Sequence, residues 1–299
     1  MREVQTVAVL SPGDMGHAIG AVLRHSGLRV ITSLEGRSAR SGTLAAKAGI
    51  EAVDSLTALV EEADVVLSVL PPANATQLAQ RVAAALQESG RPADRPLVYA
   101  DLNAIAPQTA REIGRELGEA GAHFIDGGII GGPPKVGGAG PRIYASGEHA
   151  AELAVLRDHG LDVRVIGEEV GQASGLKMCY AALTKGLTAL GTELLVAGEQ
   201  LGLSQVLRSE IQSSQPALWG WLERSVPGMP PKAYRWVGEM EEIAATFDAL
   251  GLTPRLLAGA ADMYRFVERT PLGQETPETR QRGQTLEEAV KVLSNALDE

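Results

Sequence analysis

Two short stretches carry residues whose types and spacing can do chemistry. Residues 11–16 read Ser11, Pro12, Gly13, Asp14, Met15, Gly16. They follow an apolar run at 4–10 and open a helical pattern that ends near His25 and Gly27. Strand, glycine turn and helix in that order aim backbone amides and the positive end of the helix dipole at a phosphate. Gly13 and Gly16 stand at the second and third positions of a GxGxxG fingerprint, with Ser11 at the first. Taken alone this could be an ordinary strand–helix turn; its context favours a dinucleotide pyrophosphate held by Ser11, Gly13, Asp14, Met15 and Gly16. The next apolar run, 28–34, ends in Glu35, Gly36, Arg37 and Ser38. A carboxylate here accepts from adenosine ribose hydroxyls, whereas a guanidinium beside a hydroxyl receives a 2′-phosphate. Arg37, Ser38 and Arg40 tilt the reading to NADP, Glu35 keeps NAD open, and a solvated charged turn is the plain alternative.

The second stretch is a helical pattern over 171–203. At about 100° per residue, Lys177, Tyr180, Thr184 and Thr188 share one face, and Leu183, Leu187, Leu190 and Leu194 lie opposite. A lysine driven towards neutrality by burial can exchange a proton with a reacting hydroxyl. Such a polar stripe suggests a polar cleft, with Tyr180 or Thr184 as hydrogen-bonding partners and Lys185 on its flank as a cation for an anionic group. The pattern alone favours the plainer reading, in which Lys177 lies along the surface and the threonines pack on backbone; for Lys185 a solvated lysine is an equal alternative. Glu193 points away from Lys177, and Cys179 is expected to be buried and inert. Arg235, in a segment joining aromatics to charges, serves either a substrate anion or an aromatic or dimer contact.

The elements that must position these residues follow from the rest of the chain. Its 299 residues suggest two domains, and a net charge of -10 argues against nucleic acid. One cysteine excludes an internal disulfide, and the five histidines show no ligand spacing along the chain, so no metal is expected. No leader is read, and no apolar run nears the ~20 residues of a membrane span, so the cytoplasm is expected. Strand patterns at 4–10, 28–34, 64–70, 97–101, 123–126, 142–146 and 162–166 alternate with helical ones, implying a mostly parallel sheet covered on both faces. After about residue 167 the pattern is helical, punctuated by Pro216, Pro227, Pro230, Pro231, Pro254, Pro271 and Pro277. The expected class is an α/β Rossmann-type doubly wound domain, residues 1–168, followed by an all-α domain, 169–299.

On these residues the chain resembles the β-hydroxyacid dehydrogenase and 6-phosphogluconate dehydrogenase superfamily, in a branch with a distinct C-terminal helical domain. Gly13, Met15 and Gly16 match its first turn; Val69, Leu70, Pro71 and Pro72 match an apolar-Pro strand end lying along the cofactor. Asp101, Leu102 and Asn103 match a segment beside the nicotinamide, and the run from Asp126 to Gly132 echoes its substrate loop. Ser174, Gly175, Leu176 and Lys177 stand where its catalytic lysine segment stands. The chain departs at Ile130, where the family's serine helps bind a carboxylate, and at Ala181, which replaces a catalytic asparagine. The resemblance implies hydride transfer between NADP, or NAD, and a small polar hydroxy or carbonyl compound. Lys177 is then the general acid/base, and Asn103, Ile130, Gly131, Gly132, Lys185 and Arg235 meet the substrate. A homodimer through the helical domain is expected, helped by small residues at Gly186, Gly191 and Gly198. The alternatives are an imine reductase on the same fold and a protein that binds NADP without turnover.

Overall fold

The computed structural model describes residues 4–276 and 279–297, so Pro277 lies outside the described residues. The chain divides into two compact units, Met1–Met178 and Cys179–Glu299. In the first unit the strands are β1 (Thr6–Leu10), β2 (Arg29–Ser33), β3 (Glu51–Val53), β4 (Val65–Ser68), β5 (Leu97–Asp101), β6 (Ala122–Ile130), β7 (Arg142–Ser146) and β8 (Asp162–Gly167). The helices between them are α1 (Asp14–His25), α2 (Ala39–Ala48), α3 (Leu56–Glu62), α4 (Ala75–Glu88), α5 (Pro107–Glu119) and α6 (Ala150–Leu153). α7 (Gln172–Gln200) starts in this unit and continues into the second.

The sheet order is β3-β2-β1-β4-β5-β6-β7-β8. All pairings are parallel except that of β6 with β7. The β1 side chains show why these runs are apolar throughout. Val7 and Val9 join one buried cluster, with Ile19, Leu23 and Leu67, while Ala8 and Leu10 join the other, with Leu59, Val66 and Tyr99. A strand buried on both faces cannot alternate apolar with polar residues. Strand order reverses at β1 and β4, and ligands of doubly wound sheets sit beyond the C-terminal strand ends at such a point.

Two elements depart from the sequence reading. β3 was not anticipated, because its three residues are half-buried or exposed and carry no apolar signal. β6 runs four residues past the expected strand end, through Gly127, Gly128, Ile129 and Ile130. The glycines there mark close approach. A Cβ on Gly127 would lie 2.3 Å from Leu102 Cδ2, and one on Gly128 would lie 3.0 Å from both the Ala173 carbonyl oxygen and Lys177 Cβ.

That approach lets β6 hold the start of α7. Asp126 is fully buried, and its carboxylate accepts hydrogen bonds from the Gly171 amide at 2.9 Å, the Ser174 amide at 3.0 Å and the Ser146 hydroxyl at 2.9 Å. The Ser174 hydroxyl donates to its other oxygen. The carboxylate thus satisfies amides that a helix start leaves orphaned, and its charge suits the positive end of the helix dipole. For this reason the first unit reaches Met178, inside α7, past the change of texture near residue 168.

The second unit is built of the remainder of α7 with α8 (Ser204–Ser214), α9 (Pro216–Gly228), α10 (Ala233–Ala249), α11 (Arg255–Arg269) and α12 (Leu286–Asn295). Pro216 opens α9 and Pro254 is the N-cap of α11, whereas Pro227 lies inside α9. A Cβ on Gly191 would lie 2.2 Å from Leu222, and one on Gly198 2.8 Å from Leu207, so these glycines serve packing within the chain. Among the described residues no helix is long and apolar enough to cross a membrane.

Replacing Asp126 by Ala leaves two hydroxyls and two amides buried without an acceptor. The expected cost is about 2–4 kcal/mol, seen as a lowered thermal midpoint. An unchanged midpoint would contradict the assignment of Asp126 as the anchor of α7.

Candidate functional site

Residues 11–16 form a tight turn between β1 and α1. The Ser11 amide donates to the Val69 carbonyl at 3.1 Å, tying the turn to the end of β4, and the Gly13 amide donates to the Ser11 carbonyl at 2.8 Å. A Cβ on Gly16 would sit 2.1 Å from the Ser11 carbonyl oxygen, so the turn closes only over glycine. A Cβ on Gly13 would meet no protein atom within 4 Å. The fold does not require that glycine, and without a side chain its backbone is open to a phosphate. The α1 N-terminus points its free amides into the same space, and no side chain caps it. His17 steadies the turn, its Nδ1 lying 2.7 Å from the Gly13 carbonyl oxygen. These residues fit a dinucleotide pyrophosphate.

The charged turn after β2 gathers more cations than its sequence shows. Arg37 is half-buried; burial and then the neighbouring Arg81 push its guanidinium below its ordinary value. Arg81, from α4, also binds the Glu35 carboxylate at 3.2 Å. Arg40 pairs with Asp14 at 2.6 Å, and Ser38 caps α2 by accepting from the Ser41 amide. Arg81 lay beyond sequence reasoning, because 46 residues separate it from Glu35.

The ends of β4 and β5 are joined by Asn103. Its Oδ1 accepts from the Leu70 amide at 2.6 Å, and its Nδ2 donates to Ser68 Oγ at 2.9 Å. The buried Asn103 amide therefore fixes the Leu70–Pro71 strand end. Asp101 beside it is buried, with Oδ1 accepting from the Asn103 amide at 3.0 Å and Oδ2 without a partner. Burial, and then repulsion from Asp126, raise the Asp101 carboxyl to about 7, against two lowering hydrogen bonds from Asn103. Lys177 stands one helical turn past the Asp126 anchor, half-buried, and its Nζ donates to the Ile129 carbonyl at 2.7 Å.

The model for the NAD binding domain of 6-phosphogluconate dehydrogenase matches residues 6–157 of this chain, and that for a domain of unknown function, DUF1932, matches residues 199–267. The chain belongs to the 6-phosphogluconate dehydrogenase NAD-binding family. It is 29% identical over 239 residues to a 3-hydroxyisobutyrate dehydrogenase of Pseudomonas aeruginosa, covering 76% of each. A solved conserved protein of unknown function, described as structurally similar to 3-hydroxyacid dehydrogenases, is 26% identical with a TM-score of 0.65, over 90% of this chain and 100% of that one. An imine reductase of Streptomyces aurantiacus shares the fold, with a TM-score of 0.53 at 17% identity, over 99% and 100% of the two chains.

As a member of this family the chain is an NAD(P)-dependent oxidoreductase. Its departures take physical form in the structure. Ile130 is buried at the end of β6 and offers no side-chain donor; Gly131 follows with a φ of 132°, and Gly132 is exposed. Ala181 is buried.

In the second unit, the polar stripe of α7 is buried only towards its C-terminal end, with Thr184 half-buried and Tyr180 exposed. Thr188 and Thr192 are buried, and Thr184, Thr188 and Thr192 each donate to the carbonyl four residues earlier. The opposite face is the exposed one, with Leu183 64% and Leu190 56% accessible. Tyr180 is exposed, and so is Cys179, contrary to the expectation of burial. Lys185 is no solvated lysine: it is buried, ion-paired with Glu239, and 5.3 Å from the Trp236 ring. Arg235 lies 4.0 Å from the same carboxylate.

The raised Asp101 carboxyl makes a signed prediction. Its protonated form is favoured in the fold, so its contribution to stability is complete below about 4 and is lost as pH rises through about 7. Thermal midpoints of Asp101→Asn should therefore fall less than those of the native chain between pH 4 and 8. Parallel pH profiles would refute the shift.

Proposed function

We propose that the chain is an NADP-dependent oxidoreductase acting on a small polar hydroxy or carbonyl compound, with Lys177 as its general acid/base. The observation that supports NADP most is the Arg37–Arg81 pair. Arg37 is half-buried, and burial first and the neighbouring Arg81 second lower its guanidinium. A 2′-phosphate between them relieves both costs, while Glu35, the group that would favour NAD, is taken up by Arg81.

In this reading Gly13, Asp14, Met15 and Gly16, with Ser11, hold the pyrophosphate, and Arg37, Ser38 and Arg81 receive the ribose phosphate. Asn103 keeps Leu70 and Pro71 in place along the dinucleotide. When bound, the nicotinamide supplies or accepts the hydride. Lys177 handles the proton: its ammonium gives one to the forming alkoxide in reduction, and its neutral amine takes the hydroxyl proton in oxidation. The Ile129 carbonyl steers Nζ, and the Asp126 anchor fixes the turn of helix that carries it. Tyr180 and Thr184, three and seven residues on, follow Lys177 on α7 as hydrogen-bonding partners. Gly131 and Gly132 offer backbone amides to the substrate in place of the missing serine. Arg235, 4.0 Å from the Glu239 carboxylate that pairs with Lys185, is the cation proposed for a substrate anion. The exposed Leu183 and Leu190 give the helical unit apolar surface for a homodimer, and the cytoplasm is the proposed compartment.

Quenching of intrinsic fluorescence should show NADPH binding at least about tenfold more tightly than NADH, and Arg37→Ala should erase that preference. Preference for NADH would return the ribose end to Glu35. Lys177→Met should lower kcat by about 10²-fold or more while leaving the NADPH affinity unchanged. Full turnover in that variant would remove Lys177 from the chemistry. Reduction of imines without any alcohol oxidation would favour the imine reductase alternative, which the buried Ile130 permits.

A further inference from the structure

We infer that His123, His149 and Glu152 form a binding site for one divalent transition-metal ion of the zinc class, on the first unit and apart from the dinucleotide turn. His123 is the second residue of β6, His149 is the N-cap of α6, and Glu152 lies within α6. The two imidazoles stack with ring centroids 3.7 Å apart and planes 4° from parallel. Nδ1 of His123 lies 2.8 Å, and Nδ1 of His149 3.1 Å, from the same oxygen, Glu152 Oε1. One ligand atom from each residue falls within 4.8 Å of the others.

Two rings converging on one carboxylate oxygen make a preassembled donor set of two imidazole nitrogens and one carboxylate. A divalent cation can draw on the same three groups at once. The N···O separations are close to the ~3.3 Å edge of a tetrahedron with ~2.05 Å bonds, so little expansion is needed. The parallel rings must tilt for their lone pairs to meet. Side chains that are 30–34% accessible have room to do so, and water has room to complete the shell. Two nitrogens in three donors select Zn²⁺, Co²⁺ or Ni²⁺ over Mg²⁺ or Ca²⁺, which require oxygen.

The site lies at the start of β6, whereas Asp126, Ile129 and the cofactor turn lie towards the C-terminal ends of the strands. The ion is therefore structural: it clamps α6 to the strand that anchors α7. The absence of metal spacing along the chain has a simple origin, since 29 residues separate His123 from Glu152 and only the β6–β7–α6 fold brings them together.

The test is a titration of tag-free, chelator-stripped full-length protein with CoCl₂, followed by ZnCl₂. The expected result is one Co²⁺ per chain, with visible d–d absorption that Zn²⁺ displaces, and a raised thermal midpoint. His149→Asn and Glu152→Gln should each weaken Zn²⁺ binding by about tenfold or more, with NADPH binding unaltered. In the native chain, Zn²⁺ should also shield His123 and His149 from acylation by diethyl pyrocarbonate, a readout that needs no variant. Absence of saturable uptake, equal uptake in both variants, loss of uptake in Cys179→Ser, or unshielded histidines would each overturn the site.

Discussion

A buried carboxylate at the start of a long helix sets the geometry of this protein. Asp126 has no access to solvent, so its charge must be satisfied from within, and two backbone amides and two serine hydroxyls do so. Those donors belong to β7, to the turn before α7, and to α7 itself. The interaction therefore joins three segments at one point. Because the glycines that follow Asp126 have no side chains, the first turns of α7 lie directly against the strand. Lys177 follows on the next turn, and its Nζ donates to the Ile129 carbonyl. Removing one partner from such a network is costly, since the others stay buried and unpaired.

The same economy governs the far end of the cofactor turn. Three arginines and two acids crowd the region after β2, arranged so that each acid is neutralised by an arginine from elsewhere: Asp14 by Arg40, Glu35 by Arg81. Arg37 is half-buried, and burial first and Arg81 second hold its guanidinium below its ordinary value.

Much of this was legible in the sequence because its signals were local. The glycine turn, the strands flanking it and the helix it opens all lie within residues 4–34, and their periodicities agree. The long helix and the domain change were equally plain. What escaped was set by tertiary contacts. Gly127 and Gly128 read as a loop because glycine marks loops more often than close strand packing. Thr188 read as part of a polar stripe, yet its hydroxyl is satisfied by its own helix, so it could be buried while Leu183 and Leu190 lie exposed. Lys185 read as a cation for a substrate anion or as a solvated lysine, because Glu239, 54 residues away, could not be seen as its partner. Arg81 and the stacked histidines were hidden for the same reason.

The most direct measurement is a crystal structure of the chain with NADPH bound. The account predicts the pyrophosphate against the amides of residues 13–16, the 2′-phosphate bonded to Arg37 and Arg81, and the nicotinamide ring at the end of β6 within reach of Lys177 Nζ. A dinucleotide whose 2′-phosphate avoids both arginines, or whose nicotinamide lies away from Lys177, would contradict it.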